Sequence, residues 1–265
     1  MSRSSCVELS PRDAVSVVST AVASASGDYR LETAHRIATR LVDSALWSGD
    51  ECTWPASYLN SGHGDSARLV GDTIYKGTAG IALFLLETHR STGDGRMLHA
   101  AIAALNHARR LRLASPPTAI GFYAGSSGVA YALAKTASCT DRDDLMQAAK
   151  RLAHAIPRAV IATPDVLGGS AGAILGLLRV RHLAGAFDTL DIACDLANNL
   201  MKQARRSRDG WSWGASRIMA RDLVGLSHGA CGIAHAFAEL YFHDRRPVVY
   251  VCRAAGHGVR GAVLL

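Results

Sequence analysis

Ser227-His228-Gly229-Ala230-Cys231-Gly232-Ile233-Ala234-His235 decides how this chain is read, because three other stretches share its form. They are Tyr75-Lys76-Gly77-Thr78-Ala79-Gly80-Ile81-Ala82-Leu83, Tyr123-Ala124-Gly125-Ser126-Ser127-Gly128-Val129-Ala130-Tyr131 and Leu167-Gly168-Gly169-Ser170-Ala171-Gly172-Ala173-Ile174-Leu175. Each is a Gly-x-x-Gly opening a small or apolar helical run. The first glycines stand at 77, 125, 169 and 229, so the spacings are 48, 44 and 60 residues. One such motif says little, but four in similar frames mark a repeat architecture.

Working outward, each unit reads as a loop, the glycine pair, an inner helix, a turn and an outer helix. Ile81 to Thr88 is nearly all apolar, the pattern of a helix buried on every side. A turn is expected at Ser91 to Gly95. Arg96 to Leu113 then places Leu98, Ile102 and Leu105 apart from Arg109, Arg110 and Arg112, as an outer helix should. The third unit repeats this, with Ala171 to Leu183 inside and Leu190 to Ala204 outside. Sustained alternation is missing, so strands should be few. The predicted fold is all-α: an α/α toroid, or barrel, of helical hairpins that is incomplete. Paired glycines one turn apart remove side chains where backbones approach closely. The loops that lead into them then converge on one mouth, where the positive ends of the inner helices favour bound anions.

Pro11 to Trp47 reads as two helices, and Gly49 to Thr73 as a long strap. The expected organisation is N-terminal helices over 1–48, barrel repeats over 49–241 and an atypical tail over 242–265, in a single domain.

Composition narrows the function classes. In 265 residues, 49% are apolar and 19% charged, which excludes a mainly disordered chain. The six cysteines lie far apart without a Cys-x-x-Cys, which argues against a disulfide scaffold or zinc ribbon and points to a reducing, cytoplasmic setting. Ala159 to Leu178, the most apolar stretch, is broken by Pro164 and Asp165, so no membrane span is expected. The segment Ala14 to Gly27 is flanked by Glu8 and Asp13 and diluted by serines, unlike a secretory signal. The net charge of +7 is concentrated at His107 to Arg112 and Lys202 to Arg208. Both clusters fall at expected helix ends, where cations complement the dipole, so they read as solvated ends rather than a nucleic-acid surface.

The units differ at the residue before the first glycine: Lys76, Ala124, Gly168 and His228. Only the last titrates near neutrality. Asp165 lies four residues before Gly169, at the same expected mouth. His228, Cys231 and His235 share a helical face, but His228 and His235 stand about 10 Å apart along the axis, too far for one zinc ion. Cys231 and His235 are therefore expected to be packing residues.

Ile74 to Leu85, Asp165 to Gly172 and Gly225 to Ala234 together resemble the lanthionine synthetase C-like proteins, the lanthipeptide cyclases. The resemblance covers about Trp47 to Tyr241, and the Ser-His-Gly-x-x-Gly-Ile stretch is its most specific part. It implies an α/α toroid and a reaction: a cysteine thiol of a precursor peptide adds to dehydroalanine or dehydrobutyrine and closes a thioether ring. It implies His228 as the acid/base with Asp165 assisting, zinc as cofactor, and a precursor peptide and a dehydratase as partners. The family's zinc-ligating Trp-Cys-x-Gly and Cys-His stretches do not occur here. Cys252 follows Val251, His257-Gly258 has no cysteine before it, and only 33 residues follow Gly232. The expectation is a C-terminally truncated chain without zinc ligands and with impaired chemistry. Two other readings stay open: a non-catalytic peptide-binding α/α scaffold, and a glycoside-processing α/α barrel, which needs a pair of carboxylates.

Overall fold

The computed structural model describes residues 29–56, 68–115, 119–158, 163–185, 188–208, 210–214, 222–244, 251–252 and 263–264. The first of the two expected N-terminal helices lies outside them. The second is α1, described over 29–43. The strap is more regular than its sequence suggested. It folds into an antiparallel hairpin of β1 (Leu46–Ser48) and β2 (Glu51–Thr53), followed by β3 (Pro55–Ala56) paired with β4 (Arg68–Leu69).

Three helical hairpins follow, each an inner helix and an outer one. They are α2 (Thr78–Thr92) with α3 (Gly95–Leu113), α4 (Ser126–Thr140) with α5 (Asp143–His154), and α6 (Ser170–Ala184) with α7 (Thr189–Gln203). A short ladder of β5 (Arg205–Ser207) and β6 (Gly210–Ser212) leads toward the last helix, α8 (Ala230–Asp244). β7 (Val251–Cys252) pairs with β8 (Val263–Leu264). The inner helices pack in chain order, α2 on α4, α4 on α6 and α6 on α8, and so form an arc with α3, α5 and α7 outside it.

Small side chains let the inner helices approach. Ala79, Ala82, Ala130, Ala134, Ala171 and Ala173 are buried between them, interleaved with Leu85, Leu133, Ile174 and Leu177. Each fully buried leucine or isoleucine contributes about 1.5–3 kcal/mol over an exposed one. Helices α5 and α7 bury one stripe, which in α5 is Leu145, Ala148, Ala149, Leu152 and Ala153. Helix α3 is buried more widely, with every residue of 103–108 buried.

The glycine pairs have a definite use. Helices α2, α4 and α6 have no side-chain N-cap. Their first amides instead bond to carbonyls of their own lead-in loop, seven residues back: Thr78 N to Gly71 O, Ser126 N to Ala119 O and Ser170 N to Thr163 O. Ala230 N to Leu223 O repeats the bond at α8. A loop wrapped this tightly passes directly over the second glycine. A Cβ on Gly80, Gly128, Gly172 or Gly232 would collide with the carbonyl oxygen of Ile74, Phe122, Val166 or Leu226, six residues upstream in every case. The orphan amides expected to favour anions are thus taken up by the protein's own backbone.

The basic cluster at 107–112 is also not a solvated helix end. Arg112 is buried and paired with Asp72, in the loop before α2. Arg110 and His107 both contact Glu51 of β2. Burial alone would raise the Glu51 carboxyl, but the hydrogen bonds and charge of Arg110 and His107 outweigh it and hold the group below the usual range. Cys52, beside it, lies against α3 with its Sγ on the Ala100 carbonyl at 3.4 Å, and burial pushes its thiol up to about 12.

Candidate functional site

Successive lead-in loops are joined to one another by main-chain hydrogen bonds. Tyr75 N donates to Tyr123 O at 2.9 Å, and Gly121 N to Gly168 O at 3.0 Å. Tyr123 N and Ala124 N both reach Leu167 O, at 3.1 and 2.9 Å. Val166 N and Leu167 N both reach Ser227 O, at 3.1 and 3.2 Å. The four loops therefore form one continuous rim at the N-terminal ends of the inner helices.

This rim brings His228 and Asp165 together. His228 Nδ1 lies 2.8 Å from Asp165 Oδ2, across 63 residues of sequence. The forked bond from Val166 and Leu167 to Ser227 O sets the register, because each of those residues adjoins one partner or lies close to it. The other carboxylate oxygen accepts from Gly168 N at 2.9 Å, with Thr163 Oγ1 farther off at 3.4 Å. Gly168 is the unit-three counterpart of His228, and its backbone amide is the donor to the acid. The Asp165 side chain is 12% exposed and that of His228 is 43% exposed. A carboxylate only accepts, so the hydrogen sits on His228 Nδ1 and Nε2 keeps its lone pair. Among the described residues Nε2 has no hydrogen-bond partner, and the side chain is partly open to solvent. An imidazole backed in this way by a carboxylate is an arrangement suited to general acid/base work.

Beside the dyad is a cavity of about 350 Å³. The residue two places before the first glycine of each unit lines it: Tyr75, Tyr123, Leu167 and Ser227. Repeat-position alignment one residue to the left of Lys76 and His228 would have found this set. Arg179 of α6 and His235 of α8 also line it, and Arg179 carried no sequence signal. Cys231 and His235, expected to pack inside, are both exposed. Among the described residues their helix is the last of the arc, and its inner neighbour is α6.

The described residues do not fit a zinc ion. Among them, no three His, Cys, Asp or Glu side chains gather into a group that would hold a metal. His228 Nδ1 is committed to Asp165. The Cys252 side chain and His257 fall outside the described residues. Among the described residues no helix is long and apolar enough to cross a membrane.

A family model described as lanthionine synthetase C-like protein matches residues 68–250, a span containing all four glycine pairs and both members of the dyad. No curated protein matches the chain.

Proposed function

The chain belongs to the lanthionine synthetase C-like family, and on that premise we propose that it takes a dehydrated precursor peptide at the loop rim and adds a cysteine thiol of that peptide to a dehydroalanine or dehydrobutyrine. His228 is the acid/base and Asp165 its positioning partner. As sulfur attacks the β-carbon, Nε2 accepts the thiol proton. The electron pair of the C=C bond moves toward the amide carbonyl, and the imidazolium then protonates the α-carbon. The net change is S–H added across C=C, with nothing released. Asp165 accepts the Nδ1–H throughout and stabilises the imidazolium between the two transfers. Zinc, which the family uses to activate the thiol, has no ligand set among the described residues, so thiol deprotonation rests on His228 in this scheme.

The observation that supports the reading is the 2.8 Å contact between His228 and Asp165. The test is a synthetic peptide with one cysteine and one dehydroalanine. Ring closure leaves the mass unchanged, so it is followed as loss of a thiol that iodoacetamide can alkylate. Wild-type protein should accelerate closure, and His228→Ala should lower the rate about 10²- to 10⁴-fold, the range of a general acid/base. Equal rates for wild type and variant would remove His228 from the chemistry.

The second reading, a non-catalytic peptide-binding scaffold, is favoured by the exposed Tyr75, Tyr123 and Leu226 around the cavity. It predicts tight peptide binding, unchanged in His228→Ala, with no rate above the uncatalysed addition. The glycoside-processing alternative finds no carboxylate among the residues lining the cavity.

A further inference from the structure

The cavity wall has an uncompensated positive charge. Arg179 projects from α6 one turn beyond Leu175, and both line the cavity. Arg179 is exposed and has no hydrogen bond or ion pair among the described residues. Arg90, Arg96, Arg110, Arg112, Arg142, Arg158 and Arg205 hold carboxylates; Arg179 holds none of those described and lines the cavity. His235 of α8 lines the same space, and among the described residues no Asp or Glu does. Apart from Ser227 the remaining described wall is aromatic and aliphatic, so a carboxylate entering it meets one unpartnered guanidinium.

We propose that Arg179 forms a specificity subsite of the cavity that selects precursor peptides bearing an acidic side chain near the reacting residue. This rests on reading the rim as a peptide site. Geometry sets the spacing. Arg179 lies nine residues into α6, about 13 Å from the rim where the dyad sits, at about 1.5 Å per residue. An extended peptide covers about 3.4 Å per residue, so the Asp or Glu falls about three or four positions from the residue held at His228. His235, on the facing helix, adds a second donor to the carboxylate.

The probes are two fluorescein-labelled, C-terminally amidated heptapeptides, identical but for Glu or Gln four places from an alanine that stands for the dehydro residue. Amidation makes the side chain the only carboxylate that differs, and a third, free-acid Gln peptide reports on terminal carboxylate capture. Fluorescence anisotropy with the full chain should show the Glu peptide binding about fivefold more tightly, the effect of one half-exposed charge pair. Arg179→Gln should abolish that preference while leaving the Gln peptide unchanged, and Arg179→Lys should retain part of it. Raising salt should weaken only the Glu peptide. Equal binding of the two peptides to wild type, a preference that survives Arg179→Gln, tighter binding of the free-acid Gln peptide than of the Glu peptide, or no binding of any peptide would each overturn the subsite. The alanine probes cannot react, so charge selection stands or falls apart from ring closure. A charge preference kept in His228→Ala, with no thioether formed by wild type, would reject the catalytic reading and support the subsite.

Discussion

Gly172→Ala tests the device on which the whole rim depends. The added Cβ would collide with the Val166 carbonyl oxygen and come 2.7 Å from the Phe122 amide nitrogen. Both obstacles are backbone, and they belong to two different loops, so neither can swing aside as a side chain would. Relief requires the loop before α6 to lift from the helix. That lift strains three hydrogen bonds: Ser170 N to Thr163 O at 2.9 Å, and Ala171 N to Pro164 O and Gly172 N to Asp165 O, both at 3.2 Å. Overpacking costs about 1–3 kcal/mol, and each bond lost adds about 1 kcal/mol. The better helix propensity of alanine returns up to about 1 kcal/mol. The net loss is about 3–5 kcal/mol, a large part of the roughly 5–15 kcal/mol that holds a domain folded. Gly168→Ala is the control, because its nearest neighbour is Asp165 Oδ1 at 4.0 Å. It should change stability by no more than about 0.5 kcal/mol. Urea unfolding of both variants, compared at equal m-values, gives the answer. A loss below about 1 kcal/mol for Gly172→Ala, or an equal loss for Gly168→Ala, would refute the close-approach argument.

Three further expectations concern other groups. Asp165→Asn can offer its amide hydrogens to His228 and so favour the wrong tautomer, and thioether formation should fall at least about 10²-fold in kcat while peptide affinity holds. Arg112→Met strands the buried Asp72 carboxylate and should cost about 3–5 kcal/mol in urea unfolding, whereas adding Asp72→Asn should recover most of it. Cys52 should resist iodoacetamide in the folded protein while Cys139 and Cys231, both exposed, react. The folded-state value of the Cys52 thiol lies above its ordinary one, about 12 against 9.0. Its contribution to stability is therefore complete below pH 9 and is lost as pH rises toward 12, by up to about 1.4 kcal/mol per unit, and Cys52→Ala should flatten that alkaline decline.

The repeat was legible because it is written in local sequence. Inner and outer helices fall within a few residues of where apolar spacing put them, and strands contribute little, as expected. The hairpin of β1 and β2 gave no signal, since three-residue strands are too brief to show alternation. The burial of Arg112 was hidden for another reason. Its partner Asp72 lies 40 residues away, and an arginine near a helix end reads the same whether it meets water or a carboxylate. Asp165 and His228 stand between these cases. Their positions relative to the glycine pairs placed them on one mouth, but contact depended on Ser227 O accepting from both Val166 and Leu167, a backbone detail that side-chain identities do not encode.

That detail explains why the units diverge so freely at the position His228 occupies. The rim is held by amides and carbonyls: Tyr75 to Tyr123, Gly121 to Gly168, Tyr123 and Ala124 to Leu167, Val166 and Leu167 to Ser227. None of these bonds needs a particular side chain, provided the glycine beneath each loop remains. Lys76, Ala124 and Gly168 therefore fill equivalent places without altering the fold. The side chains at this position carry no share of the rim's bonding, and in one unit that side chain is an imidazole. Its acid comes from the loop before it, because loops three and four are neighbours in the arc. A histidine at position 124 or 168 would meet a different neighbour: the counterparts of Asp165 in the loops before those are Thr73 and Gly121. The asymmetry of the site thus follows from one acid in one loop, set on a scaffold that is otherwise indifferent to which residue its loops display.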